Sequence, residues 1–360
     1  MPALDWTFFR SSLLHWYDPA RRPMPWKAVR DPYAVWLSEI ILQQTRVAQG
    51  MPYYERFVET YPTVTDLARA EDDAVMKLWE GLGYYSRARN LLRAARMVAN
   101  DHAGHFPDTY EELLSLPGVG PYTAAAIASF AFDRQVAVLD GNVYRVLARY
   151  AGDATPTDGS RGRKHFQDLV DAAMGDTPAA AFNQAIMDFG ALVCTPRNAA
   201  CAACPLSAKC VALNTDRVYD LPVKAKAVAR RTRHFHYLVV EDRGHVLLQQ
   251  RTEKDIWQNL YEFPLIEADR TALRVEQLIA LPAWPDWLPP SRITPEGRST
   301  IYRQILSHQT ILAVFHRIKC EAPIEFPEHL VRVDRQARSL YALPRVINRY
   351  LEEKALTLDL

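Results

Sequence analysis

The sequence predicts two domains, an all-α one followed by an α+β one, and three observations carry that expectation. The chain has 360 residues, whereas a single hydrophobic core stops growing near ~250 to 300. From Trp6 to about Leu213 the pattern is helical: Trp36, Ile40, Gln43 and Val47 fall on one face, and Leu91, Leu92, Ala95 and Val98 recur at the same spacing. Past a basic segment opened by Leu221-Pro222, the period becomes that of strands, in Phe235 to Val240, Val246 to Leu248 and Thr310 to Ile318. The expected division is a helical domain over 1–220, a linker over 221–233 and a second domain over 234–360, whose middle, Leu281 to Pro290, is rich in Pro and Trp.

Hydrophobic content of 49% with 24% charged residues fits a globular protein and excludes a disordered or fibrous one. No stretch approaches the ~18 uncharged apolar residues of a membrane span, and Met1 to Phe9 lacks a basic-then-apolar leader. The expectation is an intracellular protein. A net charge of +1 leaves nucleic-acid binding open, because phosphate contacts depend on where charge sits. Arg87, Arg89, Arg93 and Arg96 cluster, as do Arg161, Arg163 and Lys164, and Lys224 to Arg233 carries five basic residues. Each cluster alone reads as a solvated face.

Four of the five cysteines, Cys194, Cys201, Cys204 and Cys210, are separated by six, two and five residues. Disulfides are disfavoured inside cells, and zinc sites usually present two close pairs. Thiolates suit iron-sulfur chemistry as well as zinc, so spacing alone leaves both open. Cys320 reads as a core residue.

Leu116 to Ile127 reads as a helix end, a glycine turn and a new helix. Thr109 and Glu112 stand at capping-box spacing upstream, Gly118 and Gly120 permit a tight backbone, and Pro121 suits a first helical turn. Such a helix N-terminus holds a phosphate through its N–H groups, although the same pattern also serves plain helix packing. Asp140, in Asp-Gly-Asn, is either a turn or N-cap residue or a functional carboxylate. Glu39 shares its helical face with Trp36, Gln43 and Val47, an unusual place for a carboxylate outside a buried salt bridge or a helix end.

Together these segments closely resemble the MutY-type adenine DNA glycosylases of the helix-hairpin-helix, or endonuclease III, superfamily. The resemblance rests on Trp36-Leu37-Ser38-Glu39 through Leu42-Gln43-Gln44-Thr45, on Gly81 to Asn90, on the hairpin within 109–130, on Asp140-Gly141-Asn142-Val143, on Phe182-Asn183-Gln184-Ala185, and on the four cysteines. It implies a helix-hairpin-helix glycosylase domain with one [4Fe-4S] cluster held in the loop 194–210. It makes Glu39 the acid that protonates adenine at N7, and Asp140 the group that stabilises the sugar cation, as an ion or through a transient covalent bond. The target base must leave the stack. The resemblance makes Tyr84 an intercalating residue and Gln43 or Gln44 the filler of the vacated space, with Thr45, Leu82, Gly118 and Gly120 as further DNA contacts. It assigns Arg22, Trp26, Lys27, Tyr122, Asn142 and Asp188 to the adenine pocket. The implied partner is double-stranded DNA carrying adenine opposite 8-oxoguanine or guanine, bound by a monomer in a bacterial cytoplasm. Bifunctional relatives carry a Schiff-base lysine where Tyr122 stands, so cleavage should stop at the glycosidic bond. That disfavours the rival reading, an endonuclease III-like pyrimidine glycosylase and lyase.

Physical chemistry adds a requirement. A leaving purine needs a proton, so Glu39 must keep one near neutrality, which burial achieves by raising a carboxyl from its usual ~4.3, while Asp140 must stay ionised.

In the second domain, Arg251 to Pro264 resembles the MutT or Nudix fold just ahead of its catalytic helix, yet Leu265 to Leu281 lacks the Arg-Glu-x-x-Glu-Glu pattern. The expectation is a Nudix-like reader of 8-oxoguanine without pyrophosphohydrolase activity. Leu306-Ser307-His308 resembles the family's Phe-Ser-His loop, with Leu306 in place of Phe, which makes Ser307 and His308 DNA contacts.

Overall fold

A computed structural model describes residues 4–225, 230–322, 324–334 and 337–358. Residues 226–229 of the expected linker, and of its basic run, lie outside the described residues, as do residues 1–3 of the N-terminal segment. The chain packs as two compact units, and the division differs from the contiguous one expected. The helical unit joins the chain up to Arg69 with the chain from Asn90 to the linker, while Ala70–Arg89 packs with the C-terminal part.

The helical unit contains α1 (Trp6–Trp16), α2 (Pro32–Leu42), α3 (Val47–Thr60) and α4 (Val64–Ala68). The excursion 70–89 carries α5 (Asp72–Leu78) and the first turn of α6 (Ser86–Asp101). After it come α7 (Tyr110–Leu113), α8 (Pro121–Phe132), α9 (Gly141–Ala151), α10 (Ser160–Met174), α11 (Ala179–Leu192) and α12 (Val211–Asn214). Short polar residues start these helices. Asp31 accepts from the Tyr33 and Ala34 N–H groups with Pro32 at the first position, and Asp5 does the same for Phe8 in α1. Left-handed residues end them, Asp133 (φ 52°) after α8 and Gly152 (φ 66°) after α9.

Helix α2 is buried from Tyr33 through Ile41 and packs on α8, which is buried from Thr123 through Ser129. Phe9, Leu147, Phe166, Phe182 and Phe189, all at most 1% exposed, fill the adjoining core, each large side chain contributing ~1.5–3 kcal/mol. The α2 pattern does not continue to Val47 as expected. The helix stops at Leu42, Gln43 caps it, and Gln44 turns left-handed (φ 56°), so Gln43 and Val47 leave the face of Trp36 and Ile40.

The second unit is built on an eight-stranded sheet of β1 (Arg231–Asp242), β2 (His245–Gln250), β3 (Tyr261–Glu262), β4 (Leu265–Ala268), β5 (Ile293–Arg298), β6 (Tyr302–Ile305), β7 (Gln309–Cys320) and β8 (Leu330–Asp334). Its order is β3-β2-β1-β7-β5, with β4 beside β1, β6 beside β7 and β8 beside β2. Strand β1 begins at Arg231, so the expected linker is cut short at its C-terminal end. The two central strands run parallel, Phe235 opposite Ala313, and are buried on both faces, as parallel strands usually are. Arg243 (φ 49°) and Gly244 (φ 83°) make the turn between β1 and β2. Helix α13 (Val275–Ile279) packs its Leu278 into one core. The last helix, α14 (Arg345–Leu358), is held by a ring stack in which Tyr350 lies 4.0 Å from Phe315, itself 5.2 Å from Tyr237.

A fully buried histidine pair links β1 to β7. His236 Nε2–H donates to the Arg270 carbonyl (2.9 Å), so its Nδ1 accepts from His316 Nε2–H (3.0 Å). Burial pushes His316 down to about 4 and lowers His236 as well, which keeps both rings neutral at pH 7.

Candidate functional site

Asp140 is the helix cap that its sequence allowed. As the N-cap of α9 its Oδ1 accepts from the Val143 N–H at 2.7 Å, and its Oδ2 accepts from Asn142 Nδ2 at 2.9 Å. That leaves it at the rim of a cavity of about 670 Å³ whose wall also holds Glu39, 8% exposed on α2. Burial raises the Glu39 carboxyl to about 7, opposed by the Tyr122 hydroxyl, which donates to Glu39 Oε2 at 2.7 Å, and assisted by the negative charge of Asp140. Burial also raises Asp140, but the Val143 N–H, Asn142 and the Arg145 charge oppose it. The two carboxyls therefore differ in kind: Glu39 has one hydroxyl for company in an apolar wall, and Asp140 has a helix N-terminus and an amide.

Arg22, Trp26 and Lys27 line the same cavity. Asp188 lies beneath it, 1% exposed, and accepts from Arg22 at 2.8 Å and from Lys27 Nζ at 2.5 Å. Removing either partner would leave a buried charge short of a ligand, a loss of roughly 3–5 kcal/mol in comparable pairs. Gln43, Gln44 and Thr45 border the cavity from the turn that ends α2, with Gln43 Nε2 donating to Thr123 Oγ1 at 3.3 Å.

The hairpin closes the rim. Thr109 caps α7 by accepting from the Glu112 N–H, and Pro121 opens α8. The two glycines, expected to act alike, do not. Gly118 sits at φ +77° and an added Cβ would come 2.7 Å from the Asn90 Cβ; Gly120 has φ −96° and open space around that direction. Gly118 is needed for conformation, whereas Gly120 keeps the N-terminus of α8 accessible.

Two residues that the sequence reading missed tie Asp140 to the cysteine loop. Arg145 donates to Asn142 Oδ1 (2.8 Å), the Gly190 carbonyl (2.7 Å) and the Cys194 carbonyl (2.6 Å). One turn on, Arg149 donates to Cys194 Sγ (3.4 Å) and to the carbonyls of Thr195 and Leu221. Both arginines are under 10% exposed. The signal was available, since they stand at i and i+4 on the apolar side of α9 beside Val146 and Tyr150. Cys194, Cys201, Cys204 and Cys210 line one small cavity with no disulfide among them. Burial raises Cys194, Cys210 and Cys204, the last to about 11. Among the described residues no three His, Cys, Asp or Glu side chains stand close enough to grip a single metal ion.

The remaining expected residues gather in the second unit. Leu82, Tyr84, Ser307 and His308 line a cavity of about 490 Å³ together with Leu306 and Trp257. Tyr84 is 44% exposed at its edge and sits at φ +48°, a conformation costing a non-glycine residue roughly 1–2 kcal/mol. Gln309 Nε2 donates to His308 Nε2 at 2.9 Å, which leaves the ring proton on Nδ1 to be donated to Ser307 Oγ at 3.1 Å. The Ser307 hydroxyl proton is then left to donate elsewhere. Arg87 is not the solvated residue its cluster suggested: 8% exposed, it donates to the Gly83 carbonyl and lies over the Trp79 ring.

Comparison with known proteins identifies the families of the two regions. Residues 37–171 match the family of HhH-GPD superfamily base excision DNA repair proteins, and residues 236–353 match the NUDIX domain. An adenine DNA glycosylase of Buchnera aphidicola (subspecies Schizaphis graminum) is 35% identical over 71% of this chain and 74% of its own length. The adenine DNA glycosylase of Mus musculus is 38% identical over 73% of this chain and 61% of its own. A thermostable thymine-DNA glycosylase superposes with a TM-score of 0.54 at 31% identity, over 58% of this chain and 97% of that one. An endonuclease III bound to DNA, at 22% identity and a TM-score of 0.51 over 59% of this chain and 99% of that one, shares the fold.

The two hairpin glycines can be separated by experiment. Gly118→Ala should cost about 2 kcal/mol in chemical denaturation, from its left-handed backbone and the Asn90 contact. Gly120→Ala should cost under about 1 kcal/mol yet weaken binding to duplex DNA, because its methyl projects where a phosphate would approach. Equal losses of stability would show that the turn has another geometry.

Proposed function

Because the chain belongs to the adenine DNA glycosylase family, we propose that it hydrolyses the N-glycosidic bond of adenine mispaired with 8-oxoguanine or guanine, leaving an abasic site. The observation that carries this is the pairing, in one cavity, of a Glu39 carboxyl near pH 7 with a hydrogen-bonded Asp140.

The chemistry follows from that pair. Flipped adenine enters the cavity and Glu39 gives its proton to N7. The C1′–N9 bond breaks with its electron pair passing to the base. The sugar is left cationic beside Asp140, whose charge matters mainly at that stage. Water then adds to C1′ and its proton returns to the Glu39 carboxylate. Tyr122 offers no amine for a Schiff base, so the reaction ends there and the strand stays whole. The cavity holding Tyr84 and Ser307 would read the opposite base: the free Ser307 proton suits the C8 oxygen that distinguishes 8-oxoguanine from guanine.

The cysteines fit one [4Fe-4S] cluster. All four thiols face one cavity, thiolates are soft ligands, and Arg149 beside Cys194 offsets their charge. Cys194, Cys201, Cys204 and Cys210 would hold it, and it would cross-link the loop between α11 and α12. We read the protein as a monomer acting on DNA in a bacterial cytoplasm. Among the described residues no helix is long and apolar enough to cross a membrane.

Duplexes with adenine opposite 8-oxoguanine, guanine or thymine test the activity. Strand breaks should appear only after alkali, fastest opposite 8-oxoguanine, and Asp140→Asn should bind DNA while losing well over tenfold in rate. Breaks without alkali would favour the lyase reading. The pH profile tests the acid: single-turnover excision should fall as pH rises through about 7, because Glu39 loses its proton. Tyr122→Phe removes a donor that stabilises the carboxylate, so that limb should move to higher pH; an unmoved limb would mean another group titrates there. Metal analysis should find about four irons per chain, and stoichiometric zinc after anaerobic preparation would overturn the cluster.

A further inference from the structure

The turn between α5 and α6 is unusual in its backbone. Gly81 (φ +95°), Gly83 (φ +74°) and Tyr84 (φ +48°) are all left-handed within four residues. Strain of this kind persists only where the surroundings determine it, and here they do. The Trp79 indole N–H donates to the Gly83 carbonyl at 3.1 Å, the Gly81 N–H to the Tyr85 hydroxyl at 3.2 Å, and the Arg87 N–H to the Tyr84 carbonyl at 2.9 Å.

The stem below this turn is tied to the C-terminal part of its own unit. Glu80 Oε1 accepts from the Leu343 N–H at 2.8 Å and from Asn348 Nδ2 at 3.0 Å. This sets a carboxylate at the N-terminal end of α14, where the helix dipole favours a negative charge. Lys77 Nζ donates to the Tyr341 carbonyl at 3.0 Å, the Tyr261 hydroxyl to Asp73 at 2.9 Å, and Arg89 to the Gln258 carbonyl at 2.7 Å. Residues 70–89 therefore take their position from residues 258–348, although in sequence they interrupt the helical unit.

We propose that Glu80 is a positioning residue for recognition of the base opposite adenine: by fixing the stem of the turn on α14, it holds Tyr84 in register with Ser307 across their shared cavity. This rests on the reading of that cavity as the site for 8-oxoguanine. Glu80 touches no DNA in this scheme and acts through Tyr84. The effect belongs to discrimination, and excision of adenine opposite guanine is left in place.

The test uses the full chain. Glu80→Ala should lower the ratio of single-turnover rates for adenine opposite 8-oxoguanine over guanine by about fivefold or more, with the rate opposite guanine within twofold of wild type. In a Tyr84→Ala background the same substitution should change the ratio no further, since residues that act as a unit are non-additive. Asn348→Leu, which removes one of the bonds between Glu80 and residues 343–348, should produce a smaller loss of the same kind and serves if Glu80→Ala does not fold. An unchanged ratio, or equal losses with and without Tyr84, overturns the positioning role. A wild type with no preference for 8-oxoguanine overturns the reading of the cavity itself and the proposal with it, an outcome visible before any variant is made.

Discussion

A carboxyl group that must keep its proton at neutral pH needs an apolar wall around it, and much of the helical unit is arranged to supply one. Helix α2 is buried on nearly every side, which few helices outside a large core are. Its partner α8 begins at the hairpin, so the helix that shields Glu39 also brings Tyr122 to it and turns an open N-terminus outward. Under the proposed function, proton retention and phosphate binding would be two ends of one packing interaction. Asp140 sits where a second helix starts, and the N–H groups there, with the Asn142 amide, favour its charge and oppose the burial that raises its carboxyl.

Buried charge elsewhere follows a common rule: each group is enclosed by named partners. Asp188 has Arg22 and Lys27, while Arg145 and Arg149 are surrounded by carbonyls of the cysteine loop. In the second unit both carboxylate oxygens of Glu262, 2% exposed, accept from Arg251 Nη1, at 2.7 and 2.8 Å. Such pairs add little net stability over apolar packing but penalise any arrangement that separates them. Here they fix loops: Arg251 holds Asp255 as well, and the segment between Arg251 and Glu262 brings Trp257 to the 490 Å³ cavity.

Most of the catalytic cavity was legible in the chain. Glu39 stood out as a carboxylate on an apolar face, Asp140 as a cap signal, and the cysteines by their spacing. What could not be read was where local conformation overrides pattern. Helical period carried α2 to Val47, but a left-handed Gln44 ends it. Two glycines looked equivalent, and only Gly118 meets a neighbour. The boundary of the second unit was hidden for a different reason: hydrophobic period reports which face of α5 is buried, not which partner buries it. Polar anchors such as Glu80 are set by tertiary position and leave no periodic trace. Arg145 and Arg149 did leave one, as charges on the apolar stripe of α9, and a reading that weighed buried arginines as it weighed Glu39 would have found them.

The excursion of residues 70–89 also bears on how the chain comes into being. A ribosome releases the helical segments first, and their neighbours in space are largely local in sequence, but Glu80, just past α5, must wait for a segment 263 to 268 residues later before it meets Leu343 and Asn348. Contacts that distant form late, since the loop between them has to close first. During synthesis the turn that presents Tyr84 therefore lacks its anchor on α14, while α2 and α8, which carry Glu39 and Tyr122, can already pack. Maturation would run in a set order, with the parts for excision complete before those that restrain where it is used.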